Sequence, residues 1–318
     1  MLWIAVCLIA GALMLYFGSE WLVRGGKGLA IRLGVTPFVI GLTVLAFGSS
    51  APEAITSVVS VSNPSLIIGN VVGSNIANVG LAIGIAALAG PMIAKFRDMK
   101  IEIIVMIAAT VGLCALGFLG NIGFFTGIIL IALLFVFLYV VFTKKKSDEE
   151  GRAAYEEEAA GEETLSTPIL IVLCVVGLVL LYFGARIFIT GAKDLAALLG
   201  ASDMIIGLIV VAIGTSLPEI CISVLAARRG EADLAVANIV GSNIFNIFFV
   251  LGIGSVLTDI PVSESMLMFH MPVMLVFAVA MFLVVYFRNR IERLSGLLFV
   301  SMYAVYIGIM AIYPSLMI

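Results

Sequence analysis

Gly48-Ser49-Ser50-Ala51-Pro52-Glu53 and Gly214-Thr215-Ser216-Leu217-Pro218-Glu219 stand 166 positions apart in this chain. Each is followed by a second polar run, Gly69-Asn70-Val71-Val72-Gly73-Ser74-Asn75-Ile76-Ala77-Asn78 in the first copy and Ala237-Asn238-Ile239-Val240-Gly241-Ser242-Asn243-Ile244-Phe245-Asn246 in the second. Both copies set a carboxylate, hydroxyls, amides, a proline and glycines inside strongly apolar sequence, where a buried polar group is costly unless something partners it. The recurrence of the whole pattern divides the chain into two related halves.

The surroundings of the two copies identify the solvent. Of 318 residues, 63% are hydrophobic and 12% charged, against about 45–50% apolar and about 25% charged in an ordinary soluble domain. Apolar spans of about 20 residues, each long enough to cross roughly 30 Å of hydrocarbon as a helix, recur from end to end, and ten are read. The first, Leu2 to Val23, has no basic residue before it and no small-residue cleavage site after it, so it reads as a retained helix and not a signal peptide. The sixth runs from Ile169 to Phe188 and the seventh from Met204 to Ala227. Cys7, Cys114, Cys174 and Cys221 are scattered singly in apolar segments, which argues against a disulfide framework or a zinc site.

Further pairs reinforce the division: Tyr16-Phe17-Gly18 matches Tyr182-Phe183-Gly184 and Gly34 matches Gly200, at the same offset of 166, while from Gly73 against Gly241 the offset is 168. Five helices per half is an odd number, so the second half enters the membrane from the opposite face. The expected fold is an all-α membrane protein of ten transmembrane helices in two inverted five-helix repeats, with residues 1–142 the first, 143–168 a polar linker and 169–318 the second. Such a repeat places a substrate site near the bilayer midplane. Fifteen of the 17 basic residues, all but Arg186 and Lys193, fall on one side. The excess of Lys and Arg in cytoplasmic loops then places both termini outside the cell membrane and the linker in the cytoplasm. That linker holds eight acidic residues between Asp148 and Glu163 and reads as a solvated connector. Clustered carboxylates suit hard cations, but no defined calcium-loop pattern is present.

Residues three and four apart share a helix face. Ser49, Ser50 and Glu53 project together, as do Thr215, Ser216 and Glu219; Ser74 with Asn78 and Ser242 with Asn246 make two more faces. Every one of these groups is an oxygen donor, and oxygen ligands without His or Cys select hard cations such as Ca²⁺ or Na⁺. Pro52 and Pro218 deprive the carbonyls of Gly48 and Gly214 of a helical partner, and the distortion is expected to free those of Ala46 and Ala212 as well. Glu53 and Glu219 are read as the only carboxylates deep in the membrane, where an ionisable group is a functional candidate by default. Taken singly, each Ser, Asn or Gly here is an ordinary helix-packing residue; packing alone does not account for two glutamates at equivalent sites. His270 reads as a packed or interfacial residue, and Glu20 as the ion-pair partner of Arg24.

The paired pattern Gly-(Ser/Thr)-Ser-x-Pro-Glu with Gly-Ser-Asn-Ile-x-Asn resembles the two α-repeats of the cation/Ca²⁺ antiporter superfamily, and more closely its sodium/calcium exchanger branch. The motif segments cover about a quarter of the chain and the ten-helix layout nearly all of it. The resemblance implies an ion site built by the second, third, seventh and eighth helices, with ligands Ser49, Ser50, Glu53, Ser74, Asn78, Thr215, Ser216, Glu219, Ser242 and Asn246 and the backbone oxygens of Ala46 and Ala212. It also implies alternating access, with Ca²⁺ and Na⁺ competing for overlapping sites while the first and sixth helices slide across a rigid core. Some prokaryotic members carry Asp where this chain has Asn246.

The expected activity is therefore electrogenic exchange of Ca²⁺ for Na⁺ across a lipid bilayer, without cofactor, nucleic acid or obligate protein partner. A proton-coupled or K⁺-dependent antiporter is the alternative, since a buried glutamate can trade a proton for the metal. A passive channel lacks a continuous pore, and an intramembrane hydrolase with Ser74 or Ser242 as nucleophile lacks a base, so the chain is not read as an enzyme.

Overall fold

The computed structural model describes residues 1–146, 165–199, 214 and 216–316. The helices are α1 (Leu2–Leu33), α2 (Phe38–Ser62), α3 (Ser65–Ala89), α4 (Lys100–Gly117), α5 (Phe124–Lys146), α6 (Thr167–Leu198), α7 (described from Leu217 to Arg228), α8 (Ala232–Leu257), α9 (Met266–Arg288) and α10 (Arg293–Ile312). Nine of them are long and apolar enough to span a bilayer by their described residues. Large side chains such as Phe125, Tyr139, Val172 and Phe287 point outward, an arrangement unstable in water and suited to lipid.

Four two-residue strands in the loops demonstrate the inversion. β1 (Met92–Ile93), before α4, pairs antiparallel with β4 (Arg290–Ile291), after α9. β2 (Asn121–Ile122), after α4, pairs with β3 (Ile260–Pro261), before α9. Because α4 separates β1 from β2, the two small sheets lie on opposite faces, and the strands at equivalent places in the two halves, β1 and β3, end up on opposite sides. Each sheet is extended by the same bond: Ala94 N–H donates to the Asn289 carbonyl at 3.1 Å and Val262 N–H to the Gly120 carbonyl at 3.0 Å. Gly120 and Asn289 hold the left-handed conformation, φ 74° and 51°, which glycine and asparagine tolerate best. Lys95, Arg97, Lys100, Arg288, Arg290 and Arg293 flank the β1–β4 sheet, whereas Asp259 and Glu264 flank the other.

Burial separates a core from its wrapping. The most apolar window of α8 is 94% buried and that of α3 83%, against 28–33% for α1, α5 and α6. α1 and α6 pack antiparallel through glycines seven apart: a Cβ on Gly18 would stand 2.9 Å from the Gly177 carbonyl oxygen, and one on Gly11 2.6 Å from the Phe188 nitrogen. Only a missing side chain permits that approach.

Both helices are longer than the sequence reading made them, at 32 residues each. α1 carries Arg24, Lys27 and Arg32 on its final turns and stops at Gly34, in the left-handed cap conformation. α5 continues to Lys146, into the segment read as linker; the rest of that linker, 147–164, and the start of the seventh helix lie outside the described residues. Glu20 does not pair with Arg24. It bonds Arg229 in the α7–α8 turn, and Lys27 joins Glu231 of the same turn at 2.9 Å. These residues line a charged cavity of about 460 Å³.

Candidate functional site

The two Pro-Glu motifs fold alike. α2 breaks at Ser50 (φ −83°, ψ 2°) and a fresh helical segment starts at Ala51; the second motif breaks at Ser216 (φ −90°, ψ 4°) and α7 starts at Leu217. Pro52 and Pro218 thus occupy the first turn of a new helical segment, where a missing N–H costs nothing. Glu53 and Glu219 follow in the same turn, facing the partial positive charge of the segment's N-terminus. Both are wholly buried, and the two carboxyl groups lie within range of each other's charge.

α3 and α8 supply the second face. Each widens into a π-helical segment that begins on the motif's last asparagine, Asn78–Ile83 in α3 and Asn246–Val250 in α8. Such bulges interrupt the regular ladder and recur at functional sites. Ser74 Oγ donates to Glu53 Oε1 at 3.4 Å. Ser49 Oγ reaches across the repeat boundary to Ser242 Oγ at 3.2 Å and Asn238 Oδ1 at 3.3 Å. It sits against Glu219 too, but its single proton is shared among Ser242, Asn238 and the Ala46 carbonyl at 3.4 Å.

Four asparagines cross-link the halves. Asn78 Nδ2 donates to Asn243 Oδ1 and Asn246 Nδ2 to Asn75 Oδ1, both at 3.0 Å. Asn75 Nδ2 donates to the Asn243 carbonyl at 3.2 Å, and Asn243 Nδ2 to the Asn75 carbonyl at 3.5 Å.

The atoms left over define the chemistry. Glu53 Oε2, both oxygens of Glu219, the hydroxyls of Ser50 and Ser216, and the amide oxygens of Asn78 and Asn246 are buried without a protein partner. They are repeat-equivalent, and among the described residues every such atom in the protein is an oxygen. Carboxylate and amide oxygens only accept, and buried negative charge requires a counter-charge. A set of carboxylate, amide and hydroxyl oxygens, with neither imidazole nor thiolate, matches a hard cation such as Ca²⁺ or Na⁺.

Of the residues singled out in the sequence, Ser49, Ser50, Glu53, Ser74, Asn78, Ser216, Glu219, Ser242 and Asn246 are all buried, linked by the contacts above or left with a free oxygen. Ala212 and Thr215 lie outside the described residues. The Ala46 carbonyl is not released as expected. It accepts from Ser50 N–H at 3.0 Å as well as from Ser49 Oγ, because the helix breaks after Ser49 and not before it.

Asn75 and Asn243 were missed as part of the site, although their own equivalence at offset 168 was a readable signal; so were Asn238 and Asn70, whose Nδ2 donates to the Glu53 carbonyl at 3.3 Å. Glu102 is a third buried carboxylate, 1% exposed, but it lies at a helix end, in the first turn of α4. His270 is packed, its Nε2 donating to the Leu316 carbonyl at 2.6 Å and its Nδ1 accepting from the Tyr306 hydroxyl at 2.9 Å. The four cysteines are free thiols.

The profile of the sodium/calcium exchanger protein family matches residues 3–143 and 169–312. The chain is 32% identical over 342 residues to sodium/calcium exchanger MaX1 of Methanosarcina acetivorans, covering 95% of this chain and 97% of that one. It is 34% identical over 265 residues to the putative antiporter CaxA of Alkalimonas amylolytica, covering 81% and 82%. The solved structure of the sodium-calcium exchanger NCX_Mj, soaked with 10 mM Na⁺ and no Ca²⁺, superposes with a TM-score of 0.82 at 31% identity, over 96% of this chain and 98% of that one. This chain is a member of the sodium/calcium exchanger family.

Proposed function

We propose that the protein exchanges Ca²⁺ for Na⁺ across a cell membrane by alternating access, and that the buried oxygen cage between α2, α3, α7 and α8 binds both ions in turn. The observation that carries this reading is the set of seven unpartnered oxygens contributed by both halves, which neither half completes alone. Glu53 and Glu219 supply two negative charges, matching one Ca²⁺. Ser49, Ser50, Ser74, Asn78, Ser216, Ser242 and Asn246 supply neutral oxygens, with Thr215 and the Ala46 and Ala212 carbonyls completing the set that the family motif implies. The basic residues around the β1–β4 sheet support reading that face as cytoplasmic, with both termini outside. With three Na⁺ replacing one Ca²⁺, the stoichiometry that the family resemblance implies, each cycle moves one net charge.

The test is uptake of radioactive Ca²⁺ by proteoliposomes loaded with Na⁺ and diluted into Na⁺-free medium, with K⁺ or choline replacing Na⁺ in controls. Uptake is expected only with the outward Na⁺ gradient. Uptake driven by a pH gradient and indifferent to Na⁺ would replace this reading with proton-coupled exchange.

A further inference from the structure

We infer that Asn75 and Asn243, which are not themselves ion ligands, set the direction in which Asn246 and Asn78 present their oxygens, each acting across the repeat boundary; the inference rests on reading Asn78 and Asn246 as ligands.

An asparagine side chain ends in an oxygen and an NH₂ group of nearly equal size, and only the oxygen can ligate a cation. Rotation of either ligand amide by half a turn would aim two N–H donors at the ion. The hydrogen bonds remove that freedom. Asn246 Nδ2 is held by Asn75 Oδ1 and Asn78 Nδ2 by Asn243 Oδ1, so the remaining atom of each ligand amide, its Oδ1, is the one left without a partner.

Asn75 and Asn243 are amides as well and need orienting in turn. Each donates its own Nδ2 to a main-chain carbonyl of the opposite helix, Asn75 to Asn243 and Asn243 to Asn75. A backbone carbonyl only accepts, and it cannot flip. The polarity of the network therefore originates in the main chain of α3 and α8 and passes through the two positioning residues to the two ligands. All four side chains are 3% exposed or less, so water does not stand in for a missing partner and a reversed amide would leave like atoms opposed in a medium of low polarity.

The network also bears on the side chain at 246. An aspartate there would turn a carboxylate oxygen toward Asn75 Oδ1, acceptor against acceptor, unless a proton bridged them. Asn75 and Asn246 are thus a matched pair that holds the cage at two negative charges.

The readout is radioactive Ca²⁺ binding to purified protein in detergent, in Na⁺-free K⁺ buffer, with thermal unfolding of each variant recorded alongside. Asn78→Ala and Asn246→Ala are each expected to raise Kd by about tenfold, the scale of one lost polar contact. If neither changes Kd, the ligand reading fails, and that failure is separate from the positioning role. Asn75→Ala and Asn243→Ala are expected to raise Kd by about tenfold as well.

The decisive comparison uses backgrounds with no amide to orient. In Asn246→Asp both outer atoms are oxygens, so adding Asn75→Ala is expected to leave Kd level or lower it by relieving the acceptor–acceptor contact, and not to raise it, while adding Asn243→Ala keeps its full effect. In Asn78→Asp the pattern reverses. A packing role for Asn75 and Asn243 would instead give the same factor in every background, and coupling within one helix would tie Asn75 to Asn78. Either result overturns the inference, as does an unchanged Kd in the single variants. Should an alanine variant fail to fold, serine at the same position removes the amide with less loss of volume and takes its place in the comparison.

Discussion

The two glutamates at the centre are not equivalent in detail. Glu53 has Ser74 on one carboxylate oxygen, whereas both oxygens of Glu219 lack a partner. Each is a buried carboxylate whose charge must be met by a cation or a proton. Glu53→Gln and Glu219→Gln keep the shape and remove the charge, so each is expected to abolish Na⁺-driven Ca²⁺ uptake. Without ions, each variant should melt at the wild-type temperature or above it, because an uncompensated buried charge has gone. Ca²⁺ should raise the wild-type melting temperature, since a ligand at 100 times its Kd adds about 2.7 kcal/mol of stability, and should leave both variants unmoved. A variant that still transports near the wild-type rate would remove its glutamate from the site. At this scale most of the cage was legible, because a carboxylate, a proline and paired hydroxyls have no bland reason to recur in lipid. The equivalence of Asn75 and Asn243 at offset 168 was readable, but their bonding role was not, since their partners lie on the other half of the chain and leave no local spacing. Glu20 misled for the same reason: Arg24 is its neighbour in sequence, but the α7–α8 turn brings Arg229 to it.

Among the elements, α1 and α6 form a glycine-seamed pair. Gly11, Gly18 and Gly25 in α1 and Gly177, Gly184 and Gly191 in α6 recur every seven residues and are themselves repeat-equivalent at offset 166. Gly18→Ala would push a methyl group into the Gly177 carbonyl and the Leu181 nitrogen, each 2.9 Å away. Backbone cannot yield as a flexible side chain does, so a loss of about 1–3 kcal/mol is expected from overpacking. Gly112 in α4 meets nothing within 4 Å, and Gly112→Ala should be neutral or stabilising by up to about 1 kcal/mol through helix propensity. Thermal unfolding in detergent checks both, and equal effects at the two positions would contradict the seam. The inverted five-helix layout was readable from offsets and helix parity alone. The true lengths of α1 and α6 were not, because Arg24, Lys27 and Arg32 look like a loop when judged by hydropathy and become helical only by packing beside α6. The strands were invisible for a different reason: two residues carry no alternation, and their partners belong to the other repeat.

For the molecule as a whole, charge decides how transport responds to voltage. The cage holds two carboxylates and no buried cation among the described residues that line it. Loaded with one Ca²⁺ it is neutral, and a change of access in that state moves no net charge across the bilayer. Loaded with three Na⁺ it carries one positive charge, so the membrane potential acts on the Na⁺-bearing limb of the cycle. The wrapping helices α1 and α6, far less buried than α3 and α8, are the elements that the family resemblance assigns to the sliding step, while the cage stays within the core. One elementary charge moved through 100 mV corresponds to about 2.3 kcal/mol, or about a 50-fold change in the Ca²⁺ accumulation ratio at steady state. At the proposed exchange of three Na⁺ leaving for each Ca²⁺ entering, the vesicle interior loses one positive charge per cycle. An inside-positive potential, set by valinomycin with high external K⁺, is therefore expected to raise Ca²⁺ accumulation, and an inside-negative one to lower it by the same factor. Exchange of two Na⁺ for one Ca²⁺ would leave the accumulation ratio flat across the same range of potentials, so the slope of its logarithm against voltage reads the stoichiometry directly.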